Sequence, residues 1–210
     1  MNLSLNEIEV TAKKAARGAG YPWGLAEEAA KATRWLCIHG IDGSAALAAL
    51  LQQIDSSDVA DWSPVIGDVT WHASAHVLCP VATGAAIADR AHEFAAKNVT
   101  LGSIAQPILL VPFASFLAQQ AKNTVTVTWP EAAAVTNGEQ FRLDGPLPDV
   151  SPWATVAIGG EVGEPGRRCH RAHPESDTWK VLNAFAHRTY APATEESRLK
   201  GAGAGLCDND

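Results

Sequence analysis

An amphipathic helical pattern in residues 1–55 most strongly constrains the fold of this chain. Ser4 and Glu7 have the spacing of a capping box, in which a serine caps a helix and a glutamate three residues later returns the hydrogen bond. Apolar residues then recur at helical spacing. The pattern predicts three helices, over residues 5–18, 23–39 and 45–53. Many inward positions are alanine, which lets helix axes approach closely, so we expect a tight bundle with the third helix beginning at Ser44.

Strand patterns follow in residues 65–190. Thr124–Trp129 alternates threonine with the apolar residues Val and Trp, as in a strand with one buried face. Pro107–Phe113 is continuously apolar, which predicts a strand buried on both faces. Asn137 and Gly138 form the dipeptide that favours a tight hairpin. Further short strands are expected at residues 69–79, 132–136, 140–143 and 154–158.

Helical patterns also occur among these strands. They predict helices over residues 83–96, 115–121 and 177–190, the last capped by Asp177. The chain of 210 residues has no long linker or internal repeat, so we predict a single domain over residues 1–210. It would consist of a helical part (1–55), a mixed part (65–190) and a Gly-rich polar tail (191–210). The predicted fold class is α+β, or α/β, with a small mixed β-sheet and a C-terminal helix.

The composition is that of a globular protein with an acidic surface. The chain is 47% hydrophobic and 19% charged, and its formal net charge is −7. Without a run of Lys and Arg, we expect neither nucleic acid nor an anionic membrane as a partner. The first residues show no signal-peptide pattern, and no apolar run is long enough to cross a bilayer. Four widely spaced cysteines fit a reduced protein, so we expect a cytoplasmic location.

The last two dozen residues carry dense polar chemistry, which predicts a binding site. A short helix is expected from Thr194 to Lys200, and glycines alternate with alanines after it, so the backbone could approach an anion closely. Arginines at 188 and 198 would supply forked donors, and the final aspartates could orient a cationic group or hold a hard metal ion. The candidate ligand-binding residues are Arg188, Thr189, Thr194, Ser197, Arg198, Gly201, Gly203, Gly205, Asp208 and Asp210.

A catalytic role would fall on a smaller set of groups. His187, Tyr190 and Glu195 are the candidates for general acid or base, because they lie beside the Arg and Thr groups that could bind a substrate. The alternative is that Arg188, Glu195 and Arg198 only fix the tail by salt bridges. A tail rich in Gly and Ala can also be flexible. No cofactor motif is present, so the cofactor is left unassigned.

Two groups of residues have spacing that suggests a metal site. The first is His72, His76 and Cys79, and the second is the run Cys169, His170 and His173. On a strand, residues four apart are separated by over about 12 Å, which is too far for one ion. Each group is incomplete alone, and arginines surround the second. We therefore predict no metal site.

Two segments resemble a known family. The run from Ala16 to Ala29, Ala-Arg-Gly-Ala-Gly-Tyr-Pro-Trp-Gly-Leu-Ala-Glu-Glu-Ala, and the run from His187 to Asp210 look like the two signatures of the bacterial domain of unknown function 3726 family. The resemblance implies a stand-alone protein of about this length, with similarity over essentially the whole chain. It implies no particular reaction.

Two functional hypotheses follow. In the first, the protein binds or transforms a small anionic metabolite, with the polar C-terminal segment as the site. In the second, it is a non-catalytic accessory protein whose tail docks into a partner or a second subunit. The Ala-rich helices would suit a homo-oligomer interface, and they fit the second hypothesis as well as the first.

Overall fold

The computed structural model describes residues 1–75, 77–93, 98–164, 166 and 168–190. The described chain contains seven α-helices and eleven strands. The helices are α1 (Leu5–Gly18), α2 (Trp23–Ile38), α3 (Gly43–Ile54), α4 (Val59–Trp62), α5 (Pro80–Asp89), α6 (Val111–Ala121) and α7 (Ser176–His187). The strands are β1 (Leu3–Ser4), β2 (Pro64–Val65), β3 (Thr70–Ala73), β4 (Val99–Leu101), β5 (Ile104–Ala105), β6 (Val125–Trp129), β7 (Ala132–Thr136), β8 (Phe141–Asp144), β9 (Val150–Ser151), β10 (Ala154–Ile158) and β11 (Arg171–Ala172). The α+β class is confirmed.

The N-terminal helices form the predicted bundle, with α2 at its centre. This helix packs on α1, α3, α5 and α6, and α7 packs on α1 and α3. The predicted capping box is present: the Glu7 amide donates to Ser4 Oγ at 3.2 Å, and the Ser4 amide donates to Glu7 Oε2 at 2.8 Å. The third helix begins earlier than expected. Its cap is Asp42, whose side chain accepts a hydrogen bond from the Ala45 amide, and the expected cap Ser44 lies within the helix and is buried.

A glycine turn ends α1 and sets the direction of α2. Gly20 has a φ of +102°, in the left-handed region that glycine adopts without steric cost. The Gly20 amide donates to the Arg17 carbonyl and the Tyr21 amide donates to the Ala16 carbonyl, which is the Schellman pattern. Tyr21 is fully buried as a result, and Trp23 begins α2 at the surface with 63% of its area exposed.

The main sheet has seven strands in the order β2-β3-β4-β10-β6-β7-β8. Only β3 and β4 run parallel, so the sheet is mixed. The strand predicted at residues 124–129 is β6, and its alternation of buried and half-buried residues matches the prediction. The predicted hairpin joins β7 to β8 through residues 137–140, and Gly138 there has a φ of +98°. Helix α6 packs on β6 and β7.

The prediction of a buried strand at Pro107–Phe113 is wrong. Residues Pro107–Leu110 form a 3₁₀ turn that continues into α6, so this run and the helix predicted at 115–121 form one helical segment. The segment lies between α5 and the sheet, and its first part, Pro107–Phe113, is apolar and buried or half-buried throughout. The later residues Phe116, Gln119 and Gln120 of α6 are exposed. A short apolar run has the same appearance in a buried helix as in a buried strand.

Several boundaries also differ from the predictions. The strand expected over residues 69–79 is confined to Thr70–Ala73. The helix expected over 83–96 begins at Pro80 and ends at Asp89, followed by a 3₁₀ turn at Ala91–Glu93. Helix α7 begins at Ser176, so the expected cap Asp177 lies in its first turn and pairs with Lys180 at 2.8 Å.

One core joins the helices to the sheet. Buried residues of α1 to α3, α5, α6 and α7 form a continuous cluster with buried residues of the sheet, among them Val127 and Trp129. This packing fixes the position of the C-terminal end of α7 relative to α1. None of the described helices has the length and apolar character required to cross a lipid bilayer.

Candidate functional site

The structure describes only the beginning of the predicted C-terminal site. His187 ends α7, and Arg188, Thr189 and Tyr190 follow it at the surface. The other candidates lie outside the described residues. These are Thr194, Glu195, Ser197, Arg198, Gly201, Gly203, Gly205, Asp208 and Asp210.

Three of the four described candidates line a cleft with a volume of about 650 Å³. This basic cleft lies between α1, the first residue of α2 and the end of α7. Its volume is within the roughly 300–1,000 Å³ typical of small-molecule sites. The described lining residues are Val10, Lys13, Lys14, Arg17, Trp23, Arg188, Thr189 and Tyr190.

One wall of the basic cleft is a stripe of side chains along α1. Val10, Lys13, Lys14 and Arg17 are spaced i, i+3, i+4 and i+7, so they project from one side of the helix. The buried side of α1 carries Ile8, Ala12, Ala15 and Ala16. Packing on that side holds the helix in place, and the three cations therefore face one opening.

Two of the four cations in the cleft are neutralised by neighbouring carboxylates. Lys13 Nζ lies 2.6 Å from Glu27 Oε1. Both terminal nitrogens of Arg188 donate to Asp55, at 2.6 and 2.9 Å. This hydrogen-bonded pairing lowers the pKa of the Asp55 carboxyl from its usual value of 3.8. The cleft is thus bordered by two ion pairs that bind its walls together.

The other two cations contact only neutral groups of the described chain. Lys14 Nζ donates to the Tyr190 hydroxyl at 3.3 Å and lies 5.3 Å from the centre of the Tyr190 ring. Arg17 donates to the Tyr21 carbonyl, and its guanidinium carbon lies 4.6 Å from the centre of the Trp23 ring. Lys14 and Arg17 therefore leave a local positive charge at the opening, in a chain whose net charge is −7.

Arg188 and Thr189 have roles within the chain. Arg188 uses its two terminal nitrogens on Asp55, in the kind of salt bridge that the sequence offered as the alternative to ligand binding. Thr189 Oγ1 donates to the Ala186 carbonyl at 2.7 Å, which closes the last turn of α7. Both contacts position Tyr190 beside Lys14.

The two described candidates for acid–base chemistry contact each other. The rings of His187 and Tyr190 are edge to face, with centroids 5.2 Å apart. Tyr190 lines the basic cleft, whereas His187 does not line it. Of this pair, only the Tyr190 hydroxyl stands beside a cation that could bind an anion.

A second groove of about 680 Å³ lies between α2, α5 and α6. Its lining is largely apolar and includes Leu25, Trp35 and Phe113. Lys31, its one described cation, is paired with Glu28 at 2.8 Å. This groove offers apolar surface, whereas the basic cleft carries two cations without a carboxylate partner among the described residues.

The two groups of residues with metal-like spacing form no cluster in the part of the chain that the structure describes. Among the residues with described positions, no three His, Cys, Asp or Glu side chains are grouped as a metal site would require. Cys79 is fully buried at the start of α5, where its sulfur lies 3.0 Å from the Tyr21 hydroxyl. Burial raises the pKa values of both groups above their usual values. His76 lies outside the described residues.

Lys13, Lys14 and Arg17, which line the cleft, were not among the candidate residues predicted from the sequence. On an amphipathic helix such cations resemble an ordinary solvated face. The spacing i, i+1, i+4 on one side of the predicted helix was the available signal. Arg17 and Trp23 also fall in the first of the two family-like segments, and Arg188 and Tyr190 fall in the second, so these segments meet at the basic cleft.

Residues 3–79 match the family model described as Protein of unknown function (DUF3726). The match contains α1 to α4 and the first family-like segment, and it ends at Cys79. It does not extend to the second segment, at residues 187–210. The chain matches no curated protein.

Proposed function

We propose that the basic cleft of this chain, whose residues 3–79 match the DUF3726 family model, binds a small anionic metabolite. The observation that carries the proposal is the pair formed by Lys14 and Arg17. Within the described chain both contact only neutral oxygen atoms and aromatic rings, although acidic residues outnumber basic ones by 23 to 16 over the sequence. A charge-assisted hydrogen bond to such a cation contributes about 1.5–3 kcal/mol, which supports an anion as ligand.

The cleft is organised before a ligand arrives. The ion pairs Lys13–Glu27 and Arg188–Asp55 border it, and the second of them fixes the end of α7. Fixed donors lower the entropic cost of binding. The C-terminal residues from Thr194 to Asp210 belong to this proposal as predicted additional contacts. Binding is proposed without assigning a reaction.

Calorimetric titration of the full chain with inorganic phosphate and succinate tests the proposal. Arg17→Gln and Lys14→Gln should each weaken binding by about tenfold or more, because each removes a charged donor. The matched control is Lys180→Gln: Lys180 is paired with Asp177 at the other end of α7. Loss of binding in the control as well, or no binding of either anion, would disprove the proposal.

Two C-terminal variants separate this proposal from the accessory-protein hypothesis. Arg198→Ala should weaken anion binding if the tail contributes contacts. Deletion of residues 201–210 should leave the oligomeric state unchanged, as measured by light scattering. A change in oligomeric state with unchanged anion binding would favour the hypothesis that the tail docks into a partner or a second subunit.

A further inference from the structure

The side chains of the basic cleft indicate the chemical class of its ligand as well as the ligand's negative charge. This inference rests on the function proposed above. Lys14 and Arg17 are three residues apart on α1, and side chains at that spacing have Cβ atoms about 5–6 Å apart. A ligand that neutralises both must carry its charge on a compact group. A phosphate monoester carries a charge of about −1.5 to −2 near neutral pH on three oxygen atoms.

The donors available to such a group are well distributed. Arg17 has five N–H groups, of which the contact with the Tyr21 carbonyl uses one. Lys14 has three, of which the contact with the Tyr190 hydroxyl uses one. The remaining donors can reach separate phosphate oxygens. A succinate-like dianion divides its charge between two distant ends and fits this pair less well.

Two exposed aromatic side chains stand beside these cations. Trp23 has 63% of its area exposed and Tyr190 has 54%. Arg17 lies against the Trp23 ring, and Lys14 lies against the Tyr190 ring. An exposed indole next to a phosphate-binding cation provides a stacking surface for a planar ring attached to the phosphate.

We infer that the ligand of the basic cleft is a phosphate monoester that carries a planar ring, of the mononucleotide class. Its phosphate binds between Lys14 and Arg17, and its ring stacks on Trp23. The sugar or other linker spans the distance between them within a cleft of about 650 Å³.

Calorimetry of the full chain with four probes tests this inference: adenosine monophosphate, ribose 5-phosphate, adenosine and inorganic phosphate. Adenosine monophosphate should bind about tenfold more tightly than ribose 5-phosphate, because stacking adds to the phosphate contacts. Adenosine should bind more weakly than either phosphate ester. Trp23→Leu should reduce the affinity for adenosine monophosphate to that for ribose 5-phosphate, and Trp23→Phe should retain part of the difference.

The matched control is Trp153→Leu, since Trp153 is also exposed, at 40%, and does not line the cleft. Its affinities should equal those of the wild type. Equal affinities of the wild type for adenosine monophosphate and ribose 5-phosphate would overturn the stacking inference and leave the anion site intact. Adenosine binding as tightly as adenosine monophosphate would overturn the phosphate assignment. If none of the phosphates and no succinate binds, the proposed function itself fails.

Discussion

Gly18 of α1 packs directly against the backbone of Phe185 in α7: a Cβ atom placed on Gly18 would lie 1.8 Å from the Phe185 carbonyl oxygen. The two helices can approach this closely only because residue 18 has no side chain. We predict that Gly18→Ala destabilises the protein by about 2–3 kcal/mol, since a backbone carbonyl cannot rotate away and the helices must separate. Thermal denaturation should show a melting temperature lower by about 5–10 °C.

Gly24 is the matched control for this substitution. It lies in the first turn of α2, and a Cβ atom built on it meets no atom within 4 Å. Gly24→Ala should therefore leave the melting temperature unchanged or raise it slightly, because alanine favours the helix. Equal losses in the two variants would contradict the close α1–α7 packing.

The capping box makes a pH-dependent contribution to stability. Hydrogen bonds from the Ser4 amide and hydroxyl lower the pKa of Glu7 below its usual value of 4.5. A lowered pKa in the folded state stabilises the protein above the unfolded-state pKa, and the contribution is lost as the pH falls through the folded-state pKa. Glu7→Gln should thus be less stable than the wild type at pH 7, with a smaller difference at pH 3, in urea denaturation.

A second substitution isolates the capping contacts. Ser4→Ala should cost about 1 kcal/mol at pH 7. In that background Glu7→Gln should have a smaller effect on stability than in the wild type, because the hydrogen bond that the Ser4 hydroxyl donates to the Glu7 carboxylate is already gone. A difference between Glu7→Gln and wild type that is constant from pH 7 to pH 3 would disprove the proposed cause.

The elements with a local signal were predictable from the sequence. The capping box of Ser4 and Glu7 predicted the start of α1. The alternation of threonine with apolar residues predicted β6 to within one residue. The strand prediction for Pro107–Phe113 was wrong because these residues are apolar and buried or half-buried throughout, so no polar position within the run reveals the helical period. Strands of two residues, such as β5, exist only through their partners and have no pattern of their own.

Of the site proposed here, the sequence pointed only to the C-terminal end. Tyr190 and Arg188 stood out because polar chemistry is dense there. Lys14 and Arg17 gain significance only when α1 packs beside the end of α7, and Asp55 becomes the partner of Arg188 only in the fold, across 133 positions of sequence. The sequence shows which cations lie on the surface of a helix, but it does not show which of them lack a carboxylate partner in the fold.

The buried pair Tyr21 and Cys79 gives a prediction about thiol reactivity. Both residues are 0% exposed, and burial raises the pKa of Cys79 above its usual value of 9.0, so the thiolate is disfavoured. Iodoacetamide at pH 8 should modify the half-exposed Cys169 in the native protein and leave Cys79 unmodified, as measured by peptide mass spectrometry. Modification of Cys79 as fast as Cys169 would disprove the burial.

Tyr21→Phe removes the hydroxyl that lies 3.0 Å from the Cys79 sulfur and keeps the ring in the core. The variant should lose about 1 kcal/mol of stability, the usual contribution of one hydrogen bond. Cys79 should stay protected in it, because packing rather than the hydroxyl excludes the reagent. Rapid modification of Cys79 in the folded variant would instead assign the protection to the hydrogen bond.

Asp55 limits the positive field of the basic cleft, so its removal should strengthen anion binding. Asp55→Asn leaves the Arg188 guanidinium unneutralised at the lining of the cleft. One additional unpaired charge at such a distance should raise the affinity for inorganic phosphate about two- to fivefold at low ionic strength, and 0.5 M salt should abolish the gain through screening. Calorimetry at both salt concentrations measures this effect.

Asp177→Asn is the control for this substitution, since Asp177 lies on the same helix about 16 Å before Arg188. The Asp177→Asn variant should bind phosphate with unchanged affinity. Weaker phosphate binding by Asp55→Asn would mean that the ion pair contributes mainly by fixing Tyr190 beside Lys14, and would contradict the electrostatic account.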